Sequence, residues 1–361
     1  MPNNPLMQRD RVGDSREEAI EYMMSAIGTP SKSASPQRQA AFVDGVTGKR
    51  LTGIGSAWAT AFLEAVVLKL GVPLWLDSPI EELIMDDGRV IGAVINREGK
   101  KVRVGARRGV MLAAGGFESN VEWRKKYHGI EGSPSGNEYN TGATITLAQK
   151  AGAAVELMDD AWWGGSIEAF PGGSPSFIVG ERSMPYWLIM DSRYVVRYFR
   201  TFAMDPRANK ARKEAGLEVK AKTLDELAGK MNVNPAVLRG TVERFNGFAR
   251  AGVDGDFGRG NSAYDRYYGD PTVHPNPNLG AVERAPYHAY RVVLGDLGTK
   301  GGVLTDEDGR ALRSDGGVIE GLYAAGNNSA SVMGNTYPGP GSTIAPAAVF
   351  GMRAAREMAR K

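Results

Sequence analysis

The 361-residue chain has no cysteine and three histidines, His128, His274 and His288. Without cysteine there are no disulfides, no thiolate metal sites and no thiol nucleophile, and histidines so few and scattered do not make an imidazole metal centre. No metal site is expected, so any redox chemistry must use an organic cofactor. Long apolar runs are also missing. None approaches the roughly 20 residues that span a bilayer, and the start Met1-Pro-Asn-Asn lacks the charged and apolar regions of a secretion signal. The expectation is a cytoplasmic protein without a transmembrane segment. An excess of one charge is absent too: 44 Lys and Arg against 41 Asp and Glu leave +3, a field too weak to argue for nucleic acid. Arg107-Arg108 and Arg124-Lys-Lys126 read as solvated faces.

What the chain does have is 42% hydrophobic residues, enough for a large core, and a length that suggests about two domains. Ser15 and Glu18 form a capping box for a helix ahead of Tyr22-Met-Met, and apolar periodicity predicts a second helix over 56–70, ended by Gly71 and Pro73. Val72 to Leu76 reads as a strand. Asp86-Asp-Gly88 joins Glu82–Met85 to Val90–Ile95 as a hairpin, Lys101–Val104 adds a third antiparallel strand, and Gly109 to Gly116 reads as a buried strand running into a glycine turn. A helix is predicted over 141–151 and a strand over 154–158. The stretch from Gly172 to Gly295 differs in character. It holds the aromatic residues Tyr186, Trp187, Tyr194, Tyr198 and Phe199, a helix capped by Thr223, a helix with Pro235 at its first position, and an aromatic loop from Tyr264 to Pro271. Strand character returns over 295–317, with Asp306-Glu-Asp-Gly309 as a turn. The order implies an α/β domain formed by 1–171 and 296–361, interrupted by an α+β insertion over 172–295.

The end of the chain is the most specific part. Leu322 to Ala325 reads as a short strand stopping at Gly326-Asn327-Asn328, where backbone and amides can meet a polar ligand at the carboxyl end of a strand. Asn335-Thr-Tyr-Pro-Gly-Pro-Gly-Ser-Thr-Ile then forms a Gly/Pro loop with one polar aromatic, Tyr337. The loop leads into an Ala-rich helix from near Ser342 to Met358, whose N-terminus aims unpaired N–H groups at whatever the loop surrounds. On its own, this pattern equally describes the last strand, turn and helix of any α/β domain.

Segments of this kind, with Arg108-Gly-Val-Met-Leu-Ala-Ala-Gly-Gly-Phe-Glu118, Leu157-Met-Asp-Asp-Ala-Trp-Trp-Gly164, Ser262-Ala-Tyr-Asp-Arg-Tyr-Tyr-Gly-Asp-Pro271 and Gly295-Asp-Leu-Gly-Thr-Lys-Gly-Gly302, resemble the FAD-dependent 3-ketosteroid dehydrogenases of the fumarate reductase and succinate dehydrogenase flavoprotein superfamily. The resemblance covers most of the chain after residue 46. It implies a Rossmann-like FAD-binding domain with an inserted catalytic cap, FAD as cofactor, and an oxidoreductase that desaturates the 1,2-bond of a 3-ketosteroid. In that reaction a base takes the C2 proton, and a hydride passes from C1 to flavin N5. Carried over residue by residue, the Tyr337 hydroxyl and Gly341 N–H hydrogen-bond the C3 oxygen, and Tyr186 is the candidate to stand in for the family's proton-abstracting tyrosine, the spacing around which is lost; a plain core or interface aromatic is the other reading of Tyr186. Ala114, Gly115, Gly116, Gly326, Asn327, Ser342, Thr343 and Ile344 are the implied FAD contacts. The steroid is the implied partner, and the external electron acceptor is open.

Departures from the family pattern keep other readings open. The strand, G-x-G-x-x-G turn and helix that hold the pyrophosphate are not found, and Gly53-Ile-Gly55-Ser-Ala-Trp58 is the nearest substitute. Family stretches near 28–46 and Met184-Pro-Tyr186 are shortened, and Thr141-Gly142-Ala143 stands for a Thr-Gly-Asp pattern. A non-catalytic scaffold without FAD is one alternative, and fumarate reductase-like chemistry is another. The latter requires cations for two carboxylates, and none occurs between Asn335 and Gly351.

Overall fold

The computed structural model describes residues 67, 69–130, 133–134, 136–167, 176–178, 186–198, 206–339 and 341–360. The capped helix following Ser15, the Gly53–Gly55 stretch, most of the 56–70 helix, Phe199 and Pro340 lie outside them. In chain order the strands are β1 (Ile80–Asp86), β2 (Arg89–Arg97), β3 (Lys100–Gly105), β4 (Val110–Leu112), β5 (Ser133–Pro134), β6 (Val155–Glu156), β7 (Ala161–Ile167), β8 (Ser176–Ile178), β9 (Tyr186–Met190), β10 (Glu218–Ala221), β11 (Tyr287–Thr299), β12 (Gly302–Val303), β13 (Arg310–Leu312) and β14 (Val318–Ala324). The helices are α1 (Val121–Trp123), α2 (Ala143–Lys150), α3 (Ser192–Arg197), α4 (Pro206–Glu214), α5 (Leu224–Met231), α6 (Pro235–Ala251), α7 (Ala263–Tyr268) and α8 (Ile344–Arg360).

These elements fall into two compact units, neither of them a continuous stretch. One comprises Phe117–Thr141 and Asp159–Lys300, and the other the described part of Arg16–Gly116 together with Gly142–Met158 and Gly301–Lys361.

In the second unit, β1, β2 and β3 form an antiparallel sheet in that order. Both tight turns obey one rule. Asp87 and Gly88 have φ of 43° and 74°, and Glu98 and Gly99 have 52° and 77°; two successive positive φ values are what a two-residue turn between right-twisted strands demands. A three-stranded sheet runs β13-β14-β4, with β14 parallel to β4 and antiparallel to β13. Val90, Leu112, Ile319, Leu322 and Tyr323 are buried in this unit. The strand expected over 72–76 does not form. Val72, Leu74, Trp75 and Leu76 are exposed coil, and Pro73 removes a donor that a ladder would use.

The other unit is α+β. Its sheet runs β10-β11-β7-β8, with β5 and β9 also pairing with β11, a strand long enough at 13 residues to serve several partners. Thr223 caps α5, and Asn234 caps α6 ahead of Pro235. Leu227, Ala228 and Met231 of α5 pack with Leu238 and Val242 of α6 against Ala289 of β11. The aromatic loop expected at Tyr264–Pro271 is largely helical: Ser262 and Asp265 close a capping box that starts α7. The strand expected over 154–158 is confined to the two residues of β6, whose partner β12 is equally short.

Candidate active site

Three segments of the second unit converge because of how their strands pair. β4 and β14 run parallel in register, Leu112 opposite Ala324, and the Ala325 N–H donates to the Leu112 carbonyl at 3.1 Å. Their carboxyl ends therefore lie side by side, putting Ala114, Gly115 and Gly116 next to Gly326 and Asn327. Side chains almost vanish there: Ala114 is exposed, Gly115 has φ of 80°, and Gly326 has φ of 68° at the start of a single helical turn, Gly326–Asn328. Such backbone permits close approach of a ligand.

The third segment is the loop before α8. The Ala345 N–H donates to the Gly341 carbonyl at 2.8 Å, and both the N–H and the hydroxyl of Ser342 donate to the Gly339 carbonyl, at 3.1 and 2.6 Å. Ser342 is buried with its hydroxyl committed to the loop, while Thr343 is half-buried and Ile344 exposed. A Cβ placed on Gly326 would be 3.5 Å from the Ala347 Cβ, so α8 packs directly on the Gly326 turn. Gly341 is exposed with φ of 97°, and nothing among the described residues beyond its chain neighbours lies within 4 Å of where its Cβ would be. Tyr337 is half-buried, and Val332 and Ile344 are 62% and 57% exposed. A phenol, an unobstructed glycine and exposed apolar side chains thus share one loop.

Gly142, within the Thr141-Gly142-Ala143 variation, is the residue that precedes and caps α2. Its φ is 77°, and its N–H donates to the Gly116 carbonyl at 3.1 Å. Next to it, the Thr144 hydroxyl donates to Asn328 Oδ1. This contact joins residues 184 positions apart, and no local sequence signal reveals it.

Tyr186 belongs to the other unit. It lies on β9 opposite Val292 of β11 and packs against the cluster of Ile167, Met190, Tyr290 and Val292. Burial pushes its phenol up, which opposes phenolate formation. Tyr198 is pushed up to about 12 by burial and by donating a 2.6 Å hydrogen bond to Asp270.

The run Arg124-Lys-Lys126, expected to be a solvated face, is not one at its first residue, since Arg124 is buried in this α+β unit. Arg124 and Asp296 form a fully buried ion pair at 2.8 Å, and Gly298 N–H donates to the same carboxylate at 2.9 Å. Nearby, Glu118 is 2% exposed and accepts a 2.6 Å hydrogen bond from Asn140 Nδ2. Burial raises its carboxyl above the ordinary range, and the charge of Asp296 adds to that. Lys300 Nζ and Asp160 form a further pair at 2.8 Å. Among the described residues no cluster of His, Cys, Asp and Glu has the form of a metal site, and no helix is long and apolar enough to cross a membrane.

The FAD binding domain family matches residues 45–344. A 3-oxosteroid 1-dehydrogenase from Mycolicibacterium smegmatis is 44% identical over 87% of this chain and 64% of its own length, and one from Comamonas testosteroni is 36% identical over 87% and 62%. The chain therefore spans less than two thirds of the length of these curated relatives. The crystal structure of 3-ketosteroid Δ1-dehydrogenase from Sterolibacterium denitrificans, in complex with 1,4-androstadiene-3,17-dione, is 36% identical and superposes with a TM-score of 0.79, covering 95% of this chain and 71% of that one.

Proposed function

Because the chain belongs to the FAD-dependent 3-ketosteroid dehydrogenase family, with a Rossmann-like FAD-binding domain and an inserted α+β cap, we propose that it binds FAD at the joined ends of β4, β14 and α8 and desaturates a flat 3-ketosteroid there. The cytoplasmic setting expected from the sequence, and a cap over 172–295, belong to the same proposal. The observation that carries it is the loop of Tyr337 and Gly341, where a half-buried phenol, an exposed glycine and exposed apolar side chains lie in a stretch of sequence without a cation.

The residues present suit the cofactor. Ala114, Gly115, Gly116, Gly326 and Asn327 offer backbone without obstructing side chains, and Ser342, Thr343 and Ile344 offer a helix N-terminus. FAD, when bound, supplies the acceptor for a hydride leaving substrate C1. Tyr337 hydroxyl and Gly341 N–H donate to the C3 carbonyl oxygen and stabilise the negative charge that grows on it as the C2 proton departs. Tyr186 is the proposed acceptor of that proton, a role its half-buried phenol performs only once deprotonated. A neutral ketone, not a dicarboxylate, matches a loop without Arg, Lys or His.

The test begins with the absorbance spectrum of the purified protein after incubation with FAD and gel filtration. Flavin bands near 370 and 450 nm, roughly those of any oxidised flavin, should co-elute with protein, and a 3-ketosteroid with an artificial electron acceptor should gain a 1,2-double bond while succinate is left unchanged. Co-elution without turnover overturns the desaturation, and protein that takes up no flavin at any FAD concentration overturns the whole proposal in favour of a scaffold without FAD.

A further inference from the structure

Asn328 closes the turn at the carboxyl end of β14, and its side chain is only half used. It is fully buried: Oδ1 accepts from the Thr144 hydroxyl, while Nδ2 lies buried without an acceptor among the described residues. A buried amide with one unsatisfied function is a costly choice where an apolar side chain of similar shape would pack. What distinguishes asparagine here from such a side chain is the bond to Thr144, itself 7% exposed.

The other sides of the turn are walled by backbone and packing. A Cβ on Gly302 would sit 2.5 Å from the Asn328 carbonyl oxygen, Ser329 bridges Val303, and the Ala330 N–H donates to the Val303 carbonyl at 2.9 Å. Towards α8 the turn meets Ala347. Movement towards β12 or α8 is thus blocked, and on the α2 side the polar restraint is the Thr144 hydroxyl. Thr144 is the second residue of α2, whose start is in turn pinned by the Gly142 bond to Gly116. One chain of contacts therefore links the glycine turn after β4, the N-terminus of α2 and the glycine turn after β14.

We propose that the Thr144–Asn328 hydrogen bond is a positioning contact for the cofactor site, fixing the Gly326–Asn328 turn relative to Gly115–Gly116 so that both backbones meet the cofactor together. The two side chains act through the turn and not on the cofactor, since both are buried. The inference rests on the FAD-binding reading above and adds to it a determinant of affinity.

The test compares the wild-type chain with Thr144→Val, Thr144→Ser, Asn328→Leu and the Thr144→Val/Asn328→Leu double variant in FAD titrations followed by flavin fluorescence, well below each melting temperature. Amide hydrogen exchange over 326–329 is measured in the cofactor-free proteins. Thr144→Val and Asn328→Leu should each weaken FAD binding about five- to tenfold, the size of one hydrogen bond, and speed exchange over 326–329. Thr144→Ser should bind within about twofold of wild type, and the double variant should be no weaker than the weaker single, because all three lose one shared bond. If wild type and Thr144→Val bind FAD equally, the positioning role is overturned while the FAD reading stands. If wild type binds no FAD, that reading fails and the exchange data decide: faster exchange in Thr144→Val upholds the restraint on the turn, and unchanged exchange overturns it.

Discussion

Replacing Tyr337 with phenylalanine keeps the ring in its half-buried place and removes only the hydroxyl assigned to the C3 oxygen. Loss of one such donor commonly lowers turnover about 100- to 1000-fold, whereas an ordinary hydrogen bond contributes nearer 1 kcal/mol of stability. Tyr337→Phe should therefore depress kcat far more than steroid affinity or Tm, with residual activity from the Gly341 N–H. Steady-state kinetics beside a thermal melt check this, and near-wild-type turnover with a lowered Tm would make the hydroxyl structural. Glu118 gives a residue-scale prediction about pH. Burial raises its carboxyl in the folded state above the ordinary 4.5, so over a range of pH the folded protein keeps a proton that the unfolded chain has lost. Its contribution is fully present below the unfolded value and is lost as pH rises through the folded one. Glu118→Gln, uncharged at every pH, should flatten the corresponding fall in stability. Urea unfolding from about pH 4 to about pH 8 checks it, and a slope identical to wild type counts against the assignment.

At the scale of elements, helix starts and tight turns were legible in the sequence because their determinants are local. Thr223, Asn234 and Pro235 begin α5 and α6 as expected, and Asp87-Gly88 makes the hairpin turn between β1 and β2. Asn234→Ala should lower stability by about 1 kcal/mol, since the Asn234 carboxamide accepts from the N–H groups of Ala236 and Val237; denaturant titration measures it. Strands depended on partners. Val72–Leu76 has β composition but finds no strand partner among the described residues, whereas Tyr287–Thr299 becomes one long strand because β5, β7, β9 and β10 all pair with it. The segments of the candidate site could be read from their glycines, but the contacts beneath them could not: Thr144 meets Asn328, and Arg124 meets Asp296, 172 residues away. A capping box was within reach at α7 and was masked by the aromatic run that follows Ser262.

For the whole molecule, a cofactor that binds the folded state alone raises stability by mass action. At an FAD concentration about 100 times Kd the gain is about 2.7 kcal/mol. Tm should therefore climb across an FAD titration, and a Tm that stays unchanged up to saturating FAD would contradict binding to the folded state.

The chain passes from one unit to the other after Gly116, Thr141, Met158 and Lys300, and this order governs when each can be completed during synthesis. β4 has been translated more than 200 residues before β14, its parallel partner, emerges, and β5 waits similarly for Gly295 and Asp296. Closing such long loops makes folding slow and leaves strand edges unsatisfied meanwhile. Until Val318–Ala324 has emerged, β4 lacks the strand beside which its glycine turn takes shape.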